Sequence, residues 1–140
     1  SAKLLTTGVM VAWLIAPVHS LAHGNWPPKH GGQMNDDGGE VTVELVAKDR
    51  QVTLYLEDHG DPIPSAKIKG TLRVQRVSVD WAVAPKPARQ NQVLAQLPQA
   101  LRDGDGVWVD VSFPNGSIAQ AKFVYREDVQ SRNQRLVGKK

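Results

Sequence analysis

The chain has no cysteine in its 140 residues. That excludes disulfides and thiolate metal sites, so any metal must be held by histidine, carboxylate, methionine, backbone or an amino terminus. Neither sign of charge dominates: the formal net charge is +3, and bulk electrostatics predicts no nucleic-acid partner. His-Glu-x-x-His, Gly-x-Ser-x-Gly and a phosphate-binding glycine loop are all missing, and no serine, base and acid stand out as a nucleophilic set. There is no long apolar helical period and no alternation of strands with helices, so parallel βαβ units are not expected.

What is present starts with a targeting pattern. Lys3 precedes a mostly apolar run, Leu4–Val18, with Pro17 near its end, and Ser20-Leu21-Ala22 places small residues two positions apart. This order predicts a secretory signal peptide over residues 1–22, cut after Ala22. The apolar run is short for a membrane span, so none is expected after cleavage. Cleavage leaves one domain's length of chain and makes His23 the first residue.

Residues 23–39 are rich in glycine, proline, asparagine and aspartate, and Trp26-Pro27-Pro28 is not helical, because each proline restrains the residue before it. We expect an extended arm and a loop here. Val41, Val43 and Leu45 alternate with Thr42, Glu44 and Val46. After the polar Lys48-Asp49-Arg50-Gln51, Val52, Leu54 and Leu56 alternate with Thr53, Tyr55 and Glu57. This is a hairpin with period two. Further strands are expected through Thr71–Val77, Val79–Ala84, Gln92–Leu97, Val107–Phe113 and Ile118–Tyr125, the last pair joined at Asn115-Gly116, a two-residue turn signal in which both residues accept positive φ. Only Gln96–Arg102 offers a helical turn. About seven short strands at near-regular spacing predict an all-β fold, an antiparallel, Ig-like β-sandwich over residues 40–125, with a small barrel as the other form. Residues 126–140 are polar and basic without periodicity and are expected to be a flexible tail.

The chemistry-bearing residues gather between His23 and Asp61. His23, His30 and His59 are each followed by glycine; Met34, Asp36, Asp37, Asp58 and Asp61 lie nearby. Imidazole is the commonest neutral metal ligand, and a carboxylate beside it orients its second nitrogen or ligates directly. A freed His23 adds its amine and ring together, an arrangement that copper(II) favours, and the Met34 thioether suits copper(I). Asp36-Asp37-Gly38-Gly39 is also an ordinary turn, and no calcium-loop spacing is present. The hairpin returns the chain to the end where it began. We therefore expect His30 and His59 to share a metal at one end of the sandwich, with Asp58 or Asp61 completing the shell and His23 folding in on its arm. Trp26, Trp81 and Trp108 offer a carbohydrate-stacking surface or core packing.

At His30-Gly31-Gly32, Glu44-Leu45 and Leu54-Tyr55-Leu56-x-Asp58-His59-Gly60-x-Pro62 the chain resembles small periplasmic proteins of proteobacteria that begin with Pro-x-His-Gly-Gly. It is also similar to the N-terminal region of the periplasmic adaptor subunits of heavy-metal efflux pumps. The resemblance covers roughly residues 28–125. It implies a β-sandwich, a periplasmic location, and a role in handling copper, zinc or another divalent transition metal alongside envelope efflux or metal-resistance proteins. It extends metal contact to His30 and to His59. The expected function is metal buffering or delivery without catalysis. Two rivals are a metal-free module docking on an envelope complex and a copper enzyme with a histidine-brace site.

Overall fold

The structure, a computed structural model, describes residues 26–35 and 41–138. The expected signal segment, His23, Asp36 and Asp37 lie outside the described residues.

Ten strands and one helix are described, and the fold is an all-β sandwich of two antiparallel sheets. One sheet, sheet A, has the order β1 (Gln33–Met34), β2 (Val41–Lys48), β3 (Gln51–Asp58), β8 (Gln92–Gln96) and β7 (Lys86–Pro87), with β4 (Asp61–Pro62) attached to the end of β3. Sheet B has the order β10 (Ile118–Val124), β9 (Gly106–Ser112), β5 (Lys69–Gln75) and β6 (Asp80–Val83).

Period-two alternation builds the core. Val43, Leu45, Val52, Leu54 and Leu56 point inward from β2 and β3. They meet Leu72 and Val74 of β5, the alternating valines of β9, and Phe123 of β10. The β2–β3 hairpin closes through the two-residue turn Asp49-Arg50, with Lys48 opposite Gln51. Arg76 and Asp105 clamp the connection into β9: the guanidinium donates from Nε and Nη2 to both carboxylate oxygens at 2.9 and 3.1 Å, and Asp105 is buried.

The β9–β10 register matches the expected pairing, from Gly106 opposite Val124 to Ser112 opposite Ile118. Its turn differs from expectation. Gly116 N–H donates to Phe113 O at 2.9 Å, and only Gly116, at φ 90°, takes positive φ there. Proline 114 fixes a negative φ at the turn's first central position, so a three-residue loop ending in a left-handed glycine replaces the two-residue form. Gly116→Val should therefore lower stability by about 1 kcal/mol or more, because a β-branched residue resists that φ; a thermal melt measures it.

The C-terminal segment corrects the sequence reading. Residues 126–140 were expected to be flexible, yet α1 spans Glu127–Val137. Polar side chains dock it. Gln130, nearly fully buried, donates to Ala47 O at 2.8 Å and accepts from Ala47 N–H at 2.7 Å. Asn133 donates to Gly32 O at 2.8 Å. No helix forms over Gln96–Arg102.

Candidate functional site

The arm 26–32 crosses the outer face of sheet A, where Glu44, Tyr55 and Glu57 project from β2 and β3. It is fastened there by one carboxylate. Glu44, only 1% exposed, accepts from Lys29 N–H at 3.0 Å, His30 N–H at 2.8 Å and Gly32 N–H at 2.8 Å. The same carboxylate lies 3.0 Å from His30 Nδ1. The His30 ring stacks on Tyr55 with centroids 3.6 Å apart and planes within 5°. Burial, and then the Glu44 carboxylate, pushes the Tyr55 hydroxyl above its ordinary pKa range. Lys29 Nζ bridges Glu57 at 2.6 Å and Gly60 O at 2.8 Å. The Trp26 ring lies so near Gly60 that an added Cβ would come within 3.1 Å of it.

His-Gly-Gly thus acquires a structural explanation. Its backbone covers the Glu44 carboxylate and supplies the N–H donors that satisfy it once covered. Both glycines are needed for close approach. A Cβ on Gly31 would lie 2.8 Å from Gln134 of α1, and one on Gly32 would lie 2.4 Å from Leu45 O.

His59 occupies a second location. Asp58 and Asp61 stand directly opposite each other across the β3–β4 ladder. The two residues between them are His59 at φ 49° and Gly60 at φ 84°. Positive φ at both central positions defines a type I′ turn, whose first position asparagine, aspartate or glycine fill most easily. Here it carries an imidazole, 63% exposed, with Nδ1 2.6 Å from Asp58 Oδ1. A carboxylate only accepts, so Nδ1 carries the proton in both histidines and the neutral ring leaves Nε2 as a lone-pair donor. The same logic applies to His30, whose side chain is 39% exposed. Beside the turn, Asp58 borders an apolar pocket of about 390 Å³ at the open end of the sandwich, lined by Val41, Ile63, Pro64 and Phe113 among others.

These positions revise the expected shared centre. β1 pairs back along β2, Gln33 opposite Leu45, so the arm runs diagonally and His30 comes to rest over Tyr55. Tyr55 is three residues before Asp58, about 10 Å along a strand. Trp26 and Lys29, not His30, reach the His59 turn. Among the described residues no three histidine, aspartate or glutamate side chains converge as a metal site. His30, His59 and an aspartate are therefore not assembled into one centre. Met34, expected in a polar loop, is half-buried in β1 opposite Glu44. Trp108 is exposed on sheet B with Lys122 Nζ 4.6 Å from its ring, and Trp81 packs half-buried under Arg76, so the tryptophans do not form one stacking surface.

Glu44 and Tyr55 carried part of the resemblance but were not expected as site residues, and neither were Lys29 and Glu57. The available signal was a stretch of backbone N–H groups over Lys29–Gly32 needing an acceptor, with an acidic residue between Val43 and Leu45. No family model, no curated protein and no solved structure matches the chain.

Proposed function

We propose that the protein binds a transition-metal ion, copper first, at the His59 turn, and buffers or delivers it in the periplasm without catalysing a reaction. The observation that supports this most is the turn itself. It holds a histidine in a left-handed conformation that glycine or asparagine would adopt at less cost. It also sets two carboxylates opposite each other, where like charges repel and a cation relieves them. With Nδ1 on Asp58, Nε2 of the largely exposed ring is the nitrogen left for ligation, and copper(II) or zinc accepts this nitrogen and oxygen set. Trp26 packs on Gly60 and covers one side of the turn. In this reading His30 is chiefly a fastening for the arm. The resemblance to the efflux-adaptor region supplies the envelope partners.

The test is titration with copper(II) or zinc, followed by Trp26 fluorescence and calorimetry. His59→Asn should reduce affinity by about tenfold or more, one ligand's contribution, and leave the melting temperature unchanged or slightly raised. His30→Ala should do the reverse, lowering the melting temperature more than the affinity. Equal affinity in His59→Asn and wild type would overturn the proposal. So would protein isolated from its native envelope without bound metal and with binding only at millimolar ion. Affinity should fall as pH is lowered, because protons compete for imidazole.

A further inference from the structure

A second surface lies between the arm and α1, and the arm residues Trp26 and Lys29 that border it also contact Gly60 of the His59 turn. Between the arm and the end of α1 lies a groove of about 550 Å³ lined by Pro27, Pro28, Lys29, Asn133, Leu136 and Val137. Leu136 is 61% exposed and Val137 is also exposed. Trp26, the next residue along the arm, is exposed as well. Three of the six exposed large apolar side chains of the described residues thus belong to these two short segments.

Charge is segregated along the same helix. Glu127 and Asp128 occupy the first turn. Arg132 and Arg135 follow, both exposed, and share a side with Leu136 at the i, i+3, i+4 spacing of a helix face. Neither arginine has an ion-pair partner among the described residues.

We propose that this face docks on an anionic lipid surface. Tryptophan favours the headgroup level of a bilayer, where its ring is apolar and its N–H stays wet. Leu136 and Val137 supply a small apolar insertion, and Arg132 and Arg135 supply attraction to anionic headgroups. Two arginines on the helix side that carries exposed Leu136 fit lipid better than an apolar protein partner, because one surface then satisfies both the charged and the apolar side chains.

Flotation with vesicles tests this, in chelator so that metal at the His59 turn does not enter. The full chain and its variant are compared in the same form, so any contribution of residues 1–22 is common to both. Vesicles of phosphatidylglycerol and phosphatidylcholine should carry the protein at low salt and release it at high salt. Vesicles of phosphatidylcholine alone should carry much less. Arg132→Glu with Arg135→Glu and Leu136→Asp should lower binding by about tenfold or more, with an unchanged melting temperature, since all three side chains are exposed. Trp26 emission should shift to the blue on binding, and Trp26→Phe should remove that shift. Equal flotation of variant and wild type, equal binding to both vesicle types, or capture only by an envelope protein would each overturn the proposal.

Discussion

Glu44→Ala should unfold the outer face of sheet A first and cost about 3–5 kcal/mol, the range for removing one partner of a buried, charged hydrogen-bond set. The side chain is 1% exposed and takes three backbone N–H donors. Alanine leaves those donors facing a small void with no acceptor, and it removes the group that orients His30. For a domain near 100 residues the melting temperature should fall by roughly 15–25 °C. Amide exchange separates local from global loss. The amides of Lys29, His30 and Gly32 should lose protection by more than those of β9 and β10. Glu44→Gln should cost less, about 2 kcal/mol, because one oxygen still accepts while the new NH₂ opposes a donor. A Glu44→Ala protein that melts with wild type would mean that the arm contributes little to the fold.

The strands were legible because alternation is a strong signal when one face is dry. Val52, Leu54 and Leu56 against Thr53, Tyr55 and Glu57 need no tertiary information. The same pattern hid Glu44, which alternates correctly as an outward residue of β2 and only becomes buried when the arm lies over it. α1 was illegible for a related reason. Helices announce themselves by apolar residues three and four apart, and this one docks by Gln130, Asn133 and Gln134, whose partners are backbone groups and a glycine. Among the described residues no cluster gathers His30, His59 and an aspartate, and connectivity supplies the reason. Hairpin geometry returns the chain to the open end. The short β1 ladder then carries Gln33 past that end to Leu45, and His30 is drawn to mid-sheet with it. The tight turn at His59, with positive φ at the histidine itself as well as at Gly60, came from the structure.

Gly32→Ala should have the second large effect, for a reason that does not apply to most glycines here. The backbone at Gly32 is not left-handed, so alanine meets no strain from φ. The obstacle is space: its Cβ would sit 2.4 Å from Leu45 O, 2.8 Å from Val46 Cγ2 and 2.9 Å from Glu44 Cγ. The first of these is backbone in the middle of β2 and has no rotamer to yield. The arm must lift, and lifting stretches Gly32 N–H from Glu44 Oε2 at 2.8 Å and Gly32 O from Asn133 Nδ2 at 2.8 Å. Overpacking costs about 1–3 kcal/mol, and each loosened buried hydrogen bond adds about 1 kcal/mol, so a loss of about 3 kcal/mol is expected. Gly104→Ala supplies the control: φ there is 88° and nothing lies within 4 Å, so only conformational strain of about 1 kcal/mol applies. Chemical denaturation of both variants checks the order. A Gly32→Ala loss no larger than that of Gly104→Ala would mean that the arm rides on β2 more loosely than these contacts require.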